Sequence, residues 1–222
     1  MSILSFERAL PAEDTLAASA AAAREDELKE LRRQIGVATR DFRKSRPFGS
    51  AVKWASQQWH ARLHHGSLHQ FVSGYDPARD GCTLISGESG VGKSTAAAVV
   101  AHRLLSLAFA EGDRSALIVG GHWASAPELQ RARDETKRGA VNEPLAAAIA
   151  ARLLFLDELG GEDGDGRWLM SLADERYRFS RPTITTAGFP LAWLQQRYGV
   201  GAIRKLIEPL GTHLDLLGSA SV

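Results

Sequence analysis

Cysteine is nearly absent from this 222-residue sequence, which contains a single one, Cys82. A lone cysteine provides neither an intramolecular disulfide nor a thiolate zinc site, so neither can hold the fold together. Long apolar runs are also missing, and none approaches the length that crosses a membrane. The amino terminus carries Glu7, Glu13 and Asp14, where a signal peptide has basic and then apolar residues. We therefore expect a cytoplasmic protein with no membrane partner.

Net charge is small as well, at +1, but the charges are unevenly distributed in the amino-terminal region. Residues 1–30 hold seven acidic and three basic side chains, whereas residues 32–53 hold seven basic side chains and one acidic. The basic run is interpreted either as a contact for nucleic-acid phosphates or as a solvated helix face. Its members are Arg32, Arg33, Arg40, Arg43, Lys44, Arg46 and Lys53.

The amino-terminal region is predicted to form a helical arm with a basic linker, over residues 1–47. Residues 14–35 are alanine-rich and favour a helix that has too little apolar surface to fold alone. This helix either docks on a partner or lies along its own domain. A hinge is expected at Gly36 and the basic stretch after it. With 44% apolar residues, the remaining residues 48–222 are sufficient for one globular α/β domain.

A glycine-rich segment matches the phosphate-binding pattern G-x-x-x-x-G-K-[ST] at every fixed position. Residues 82–85 before it are predicted as a buried strand and residues 95–110 after it as a helix, which is the setting that the pattern requires. Its backbone N–H groups would surround phosphate, Lys93 would neutralise phosphate charge, and Ser94 would coordinate Mg²⁺. The predicted nucleotide-binding residues are Gly87, Glu88, Ser89, Gly90, Val91, Gly92, Lys93, Ser94 and Thr95.

An acidic pair follows the apolar run at residues 153–156, which is predicted to be a strand covered on both faces. Two adjacent carboxylates at the end of a buried strand are costly unless they have a function. Asp157 is expected to hold Mg²⁺ through its water shell. Glu158 is expected to orient or deprotonate the water that attacks the γ-phosphate.

Five predicted strands alternate with helices and give a three-layer α/β fold with a mostly parallel sheet. The second strand is expected to end before His122 and Trp123, which then contact a ligand or a neighbouring subunit, or anchor the core. The loop at 160–166 is expected to be flexible. The predicted strands cover residues 82–85, 115–119, 153–156, 183–186 and 213–217.

Helical spacing predicts further core residues. Trp59 belongs to one such helix, and the helix over residues 168–179 is expected to bury four side chains, Leu169, Leu172, Ala173 and Tyr177. The histidine pairs His60 with His64 and His65 with His69 have the spacing of metal ligands. No Glu or Cys completes either set, so they are expected to be solvated.

Several short segments in the second half of the chain resemble one family. They are Leu154–Gly160, Glu175–Tyr177, Arg181–Ile184, Pro190–Leu191 and Arg197–Gly199. Together with the glycine-rich segment, they make roughly residues 75 to 210 similar to the DnaC/IstB-type AAA+ ATPases, the bacterial replicative-helicase loaders and their transposition-helper relatives.

The resemblance implies an AAA+ P-loop domain that binds ATP with Mg²⁺ and assembles side by side into an ATP-dependent oligomer. It also implies that the amino-terminal arm binds a DnaB-type replicative DNA helicase, while the assembled domains handle single-stranded DNA.

Three departures from the family pattern concern turnover. Gly188 falls where relatives have the polar sensor Asn, and Thr186 is the substitute that the sequence offers. Arg204, or Lys205 beside it, falls near the position of the arginine that acts on the neighbouring subunit. Relatives place another arginine after the fifth strand, and residues 217–222 contain none. These losses imply slow hydrolysis or a site that a partner completes.

Other functions fit parts of the same pattern. An IstB-like transposition helper and a nucleotide-gated adaptor with little turnover share the AAA+ domain. A small-molecule P-loop kinase also accounts for Lys93 and Ser94, but the pair Asp157 and Glu158 favours water as the nucleophile. A GTPase is disfavoured because the sequence has no Asn-Lys-x-Asp guanine-binding motif.

Overall fold

The structure is a computed structural model that describes residues 13–44, 63–111, 121–137, 140–208 and 211–216. The strands are β1 (Thr83–Ser86), β2 (His122–Ser125), β3 (Leu154–Leu159), β4 (Thr183–Ala187) and β5 (Thr212–Asp215). The helices are α1 (Glu13–Lys44), α2 (Gly66–Gly74), α3 (Pro77–Asp80), α4 (Lys93–Glu111), α5 (Ala126–Glu135), α6 (Glu143–Ala150), α7 (Trp168–Arg178), α8 (Leu191–Tyr198) and α9 (Val200–Lys205).

The five strands form one parallel sheet in the order β2-β3-β4-β1-β5. This confirms the predicted α/β fold class. Because β4 lies between β1 and β3, its carboxyl end is next to the carboxyl ends of both. Ligands of open α/β sheets bind at this edge. The strand order therefore brings the glycine-rich segment, the acidic pair and the end of β4 together.

Two apolar layers cover the sheet. On one face, the alanine-rich helix α4 packs on Ile85, Phe155 and Ile184, and its small side chains bring the helix close to the strands. On the other face, helices α7, α8 and α9 pack on residues such as Leu84 and Leu156. Strand β3 begins with a continuous apolar run because Phe155 packs in one layer and Leu154 and Leu156 pack in the other.

Helix α7 corrects one prediction about its buried face. Leu169, Leu172 and Ala173 are buried as expected, but Tyr177 is 39% exposed and Arg176 is 2% exposed. From Leu169, the helical period brings position i+7 to the centre of the inward stripe, and that position is Arg176. Counting apolar residues alone selected Tyr177, the neighbouring position.

The start of the β2 region also differs from expectation. The predicted second strand, residues 115–119, lies outside the described residues. Strand β2 instead begins at His122, so His122 and Trp123 lie within a strand and not beyond its end. Ser125 accepts a hydrogen bond from Glu128 N, and Glu128 accepts one from Ser125 N, so this capping box starts α5 directly after β2.

Trp123 is a core residue. Its side chain is buried, and its ring stacks on Phe155 with 5.3 Å between the centroids and 9° between the planes. This packing places Trp123 in the apolar layer beside α4 and accounts for it without a ligand. The predicted role of Trp59 concerns a residue outside the described ranges.

Helix α1 continues through Gly36 to Lys44, so the hinge expected at Gly36 is absent from the structure. One glycine costs a helix only about 1 kcal/mol relative to alanine, which the other 31 positions of this 32-residue helix outweigh. The helix contacts α4 and β2, while residues 17–30 are exposed. No described helix has the length and apolarity to span a bilayer.

Candidate functional site

The glycine-rich segment runs from the end of β1 to the first residue of α4 (Lys93). Gly90 and Gly92 have φ values of 87° and 101°, which are backbone conformations that other residues rarely adopt. Gly87 is required for a different reason, since a Cβ there would lie 2.7 Å from Leu216 Cβ at the end of β5. The loop is thus shaped by its glycines and supported by the edge strand.

Lys93 lies inside this loop. Its Nζ donates hydrogen bonds to Gly87 O at 2.8 Å and Glu88 O at 2.6 Å. Burial lowers the pKa of Lys93, and the Asp157 carboxylate partly opposes that shift. The ammonium group is therefore partly desolvated and bonded to neutral carbonyls, so an anionic group beside it would be stabilised. This environment fits the predicted contact with phosphate.

Ser94, Asp157 and Thr186 come from three separate elements and meet at one carboxylate oxygen. Ser94 Oγ donates to Asp157 Oδ1 at 2.7 Å, and Thr186 Oγ1 donates to the same atom. Asp157 is only 2% exposed. A hydroxyl and a carboxylate in contact form a fitting donor set for Mg²⁺, which is usually held by one or two protein ligands together with phosphate. The structure thus brings the predicted metal residues together.

A β-bulge lies at the acidic pair. The register between β3 and β4 runs from Leu156 opposite Thr185 to Leu159 opposite Ala187. Asp157 and Glu158 therefore face a single residue, Thr186. Bulges bend a strand and change the direction of a side chain, and they are frequent beside functional sites. The expected strand 153–156 ended before this pair, so the bulge was not predicted.

Glu158 has a left-handed backbone, with φ of 59°. For a residue other than glycine this conformation costs on the order of 1–3 kcal/mol, and such strained residues are enriched at functional sites. Its N–H donates to Thr186 Oγ1 at 3.2 Å. Partial burial, followed by the negative charges of Asp157 and Glu128, raises the pKa of Glu158. A carboxylate with a raised pKa can accept a proton more readily, as a general base must.

A cavity of about 610 Å³ lies over these groups, within the size range of small-molecule sites. It is lined by His64, Ser89, Gly90, Gly92, Lys93, Ser94, Thr95, Glu158, Leu159, Gly161, Thr186, Ala187, Gly188 and Phe189. Sequence reasoning missed His64 and Phe189 as lining residues. Sequence spacing could not identify the lining residues outside the motifs, because they are brought to the cavity by the packing of distant segments.

Gly188 lies at the cavity wall, and no atom is within 4 Å of the position that its Cβ would occupy. The place of the expected polar sensor is therefore open space. Thr186, the predicted substitute, faces the cavity, but its hydroxyl already bonds Asp157 Oδ1 and Glu158 N. Its role as a sensing group stays a prediction.

Arg204 is on α9 and is not among the residues that line the cavity of its own subunit. Its side chain is 60% exposed and lies 3.7 Å from Glu208. Lys205 is bound more closely, because its Nζ donates to Asp174 Oδ1 at 2.5 Å. The structure therefore keeps Arg204 and Lys205 apart from the other site residues within one chain.

The loop at 160–166 is anchored, contrary to the expectation of flexibility. The buried Glu162 carboxylate accepts hydrogen bonds from Tyr198 Oη and, at 3.1 Å, from Gly160 N. Arg197 Nη2 donates to Glu162 O at 2.7 Å and to Gly164 O at 3.2 Å. Glu162 and two loop carbonyls therefore bond to α8, and Asp165 bonds to Arg133 of α5. These partners are distant in the sequence, so spacing could not indicate them.

Among the described residues, no group of three His, Cys, Asp or Glu side chains is arranged to bind a metal ion. His60 lies outside the described residues. His69 Nε2 is 3.1 Å from Leu63 O. His64 borders the large cavity, so it is near the candidate nucleotide site.

The fold is a P-loop α/β fold of the AAA+ type. Among solved structures, DnaI matches with a TM-score of 0.50 and 23% identity, over 67% of this chain and 80% of that chain. The replication initiator DnaA bound to AMPPCP and single-stranded DNA matches with a TM-score of 0.51 and 15% identity, over 71% of this chain and 49% of that chain.

A third structure, domain III of DnaA from Thermotoga maritima, has a TM-score of 0.50 and 16% identity, over 72% of this chain and 61% of that chain. No protein-family model and no curated protein matches the sequence. The likenesses establish the fold, which is the AAA+ fold expected from the resemblance to DnaC/IstB-type ATPases.

Proposed function

We propose that this protein is an ATP-dependent AAA+ switch that binds ATP with Mg²⁺ and hydrolyses it. The observation that carries this proposal is the set of hydrogen bonds from Ser94 and Thr186 to Asp157, beside a partly buried Lys93, under one cavity. Such a set joins a phosphate-binding loop to an acidic strand end, as nucleotide hydrolysis requires.

Each residue then has a distinct task. Lys93 would bind the outer phosphates, and Ser94 with Asp157 would hold the metal. Glu158 would orient a water molecule and accept its proton. When bound, ATP with Mg²⁺ supplies the phosphoanhydride bond and the positive charge that balances its outer phosphates. The loop backbone, fixed by Gly90 and Gly92, would keep the phosphates against Lys93.

Calorimetry with ATP and GTP, together with phosphate release, tests this part. We expect ATP to bind in the presence of Mg²⁺ and phosphate to be released. The variant Glu158→Gln should keep ATP binding and lose turnover by on the order of 100-fold or more, because it keeps the shape of the side chain and removes the base. Absence of ATP binding by the folded wild type would end the proposal.

For the biological task, we propose helicase loading, in which ATP-dependent assembly delivers a DnaB-type replicative helicase onto single-stranded DNA. The sequence resemblance supports this task, as do the fold shared with DnaI and the exposed residues 17–30 of α1. The DnaA relative in fold was solved with AMPPCP and single-stranded DNA. In this assembly, the exposed Arg204 would reach the nucleotide site of a neighbouring copy.

Co-purification tests the task. The full chain should retain a DnaB-type helicase and form oligomers with ATP, and should bind single-stranded DNA in the same state. Arg204→Ala should keep ATP affinity but reduce turnover in the oligomer. If ATP instead drives filament formation on double-stranded DNA with no helicase bound, the IstB-like function replaces helicase loading.

A nucleotide-gated adaptor is the second candidate, and the open space at Gly188 favours it. With no polar side chain at that place, the site has fewer groups to stabilise the transition state than relatives have. Tight ATP binding, ATP-dependent assembly and negligible phosphate release, even with helicase and DNA present, would identify the adaptor.

A further inference from the structure

The hydroxyl of Thr186 makes two hydrogen bonds, one as a donor and one as an acceptor. It donates to Asp157 Oδ1 and accepts from Glu158 N at 3.2 Å. A hydroxyl has one donor proton, and here that proton is directed to the carboxylate. The same oxygen then uses a lone pair for the Glu158 amide. One side chain of β4 therefore contacts both members of the acidic pair.

The β-bulge makes these contacts possible. At this point, Asp157 and Glu158 face only Thr186, so the regular ladder between β3 and β4 is interrupted. At this bulge the Glu158 N–H donates to the threonine hydroxyl. Glu158 can thus hold its left-handed conformation and expose its carboxylate to the cavity.

We propose that Thr186 is a positioning residue that fixes the orientation of Asp157 and Glu158 relative to each other. This inference rests on the proposed ATPase function for its effect on turnover, whereas the hydrogen bonds that it describes can be tested without nucleotide. Thr186 acts through the acidic pair and does not sense phosphate itself. Ser94 of α4 donates to the same Asp157 oxygen, so the aspartate is held by one hydroxyl from α4 and one from β4.

The neighbouring residue Thr185 provides a matched control. Both threonines are in β4 and are buried. Thr185 Oγ1 has no hydrogen-bond partner in the described structure, whereas Thr186 Oγ1 has two. Valine has nearly the shape of threonine and suits a strand, so either change to valine removes a hydroxyl without leaving a cavity. Only the change at 186 should affect the acidic pair.

Hydrogen exchange of the nucleotide-free full chain tests the geometry directly. In Thr186→Val, the amide of Glu158 should exchange faster by about tenfold, because it loses its acceptor. In Thr185→Val, exchange at Glu158 should equal that of the wild type. In Thr186→Ser, which restores a hydroxyl, protection should return. Equal protection of Glu158 in all variants would overturn the inference.

Turnover measured on the same variants tests the consequence. Thr186→Val should lower kcat on the order of 10–100-fold, the usual effect of removing a group that orients a metal ligand. Its affinity for ATP in EDTA should not change, because Lys93 and the loop are intact. Thr186→Ser should recover most of the kcat, and Thr185→Val should match the wild type.

The two possible failures are distinguishable. A wild-type chain that neither binds nor hydrolyses ATP contradicts the proposed function, while the exchange experiment still decides whether Thr186 positions the pair. An active wild type with an equally active Thr186→Val contradicts the positioning role alone. If Thr186→Ser were as slow as Thr186→Val, the hydroxyl would not be the operative group, and the inference would also fail.

Discussion

Two buried polar clusters lie at opposite ends of the sheet, and they differ in what their polar atoms contact. At the carboxyl edge, Asp157 is joined to Ser94 and Thr186 and lies under a cavity of about 610 Å³. At the amino edge, Arg176 is surrounded by acceptors and lies beside a pocket of about 160 Å³. Both clusters contain a threonine of β4.

All three guanidinium nitrogens of Arg176 are hydrogen-bonded within the protein. Its guanidinium donates to Thr183 Oγ1 and to backbone carbonyls of the α6 end and of Pro182, with no carboxylate paired to it in the described structure. Burial lowers its pKa to about 9, so it remains a cation at neutral pH. Arg181 also donates to Ile149 O at 2.7 Å. These arginines complete the carboxyl end of α6, where cations are favourable.

The comparison separates stability from function. Arg176 and Arg181, which lie in two of the segments that carry the family resemblance, support the fold. Lys93 lines the cavity, and its ammonium group uses only two of its three donors within the protein. The buried Asp157 contacts the lining residues Ser94 and Thr186. Removing the hydrogen-bonded guanidinium of Arg176 should therefore lower the free energy of unfolding. Removing a side chain at the cavity should instead lower nucleotide affinity or turnover.

The largest effect is expected for Arg176→Leu. Loss of the guanidinium leaves buried acceptors on α6 and β4 without donors, at about 1–3 kcal/mol for each group that stays unsatisfied. We expect the free energy of unfolding in urea to fall by more than about 3 kcal/mol. Arg178→Leu is the control, because Arg178 is on the same helix, is exposed and forms an ion pair with Glu175 at 3.2 Å. Its effect should be within about 0.5 kcal/mol. Equal stability of the two variants would contradict the assignment of Arg176 to the fold.

Lys93→Ala should have the second largest effect, and the property that it changes is ATP affinity, not stability. Loss of a charged donor to phosphate should weaken ATP binding by about 10–100-fold in calorimetry, equivalent to about 1.5–3 kcal/mol. Stability without nucleotide should not fall, because a partly desolvated ammonium is removed. The exposed Lys137→Ala serves as the control and should keep wild-type affinity. A Lys93→Ala protein that binds ATP normally would show that the cavity is not a phosphate site.

Gly188→Asn is expected to raise the rate of ATP hydrolysis. The open space at this position accommodates a side chain, and an amide there would supply the polar group that the resemblance leads us to expect. We expect phosphate release to rise by about tenfold, part of the effect that one preorganised donor can have. Gly188→Ala fills the same space without a donor and should not accelerate turnover. If both variants are slower than the wild type, polar sensing is not what the site lacks.

The smallest effect concerns His213, next to the glycine-rich segment. Its Nε2 is 2.8 Å from Ser86 Oγ, and burial lowers its pKa below 6.5, partly opposed by Asp215. The folded state therefore favours neutral histidine, and this stability is complete above pH 6.5 and declines as the pH falls below it. In His213→Gln, the free energy of unfolding should decrease less between about pH 7.5 and about pH 5. An unchanged pH dependence would contradict this account.

How much of the site was predictable depends on the range of the interactions involved. The spacing around Lys93 and the acidic residues after an apolar run indicated the phosphate loop and the metal carboxylate, and the structure brings Ser94 and Asp157 into contact. The bulge at Glu158 was not predictable, because it is defined by the register against β4, 28 residues later in the chain.

At the amino ends of the strands, prediction from the sequence was limited in the same way. Helical spacing correctly predicted that Leu169, Leu172 and Ala173 are buried, but an apolarity rule chose Tyr177 over Arg176. A buried arginine is costly unless acceptors surround it, and most of its acceptors come from helix α6 and the residue before β4. No property of residues 168–179 alone reveals those partners.

The sequence by itself determined the phosphate loop, the acidic pair and the alternation of strands with helices, because each depends on residues within a few positions of one another. Only the tertiary structure decided that β4 lies between β1 and β3, that Thr186 joins Asp157 to Glu158, and that Arg176 is enclosed. These arrangements depend on hydrogen bonds and packing between distant segments, which form only when the sheet assembles.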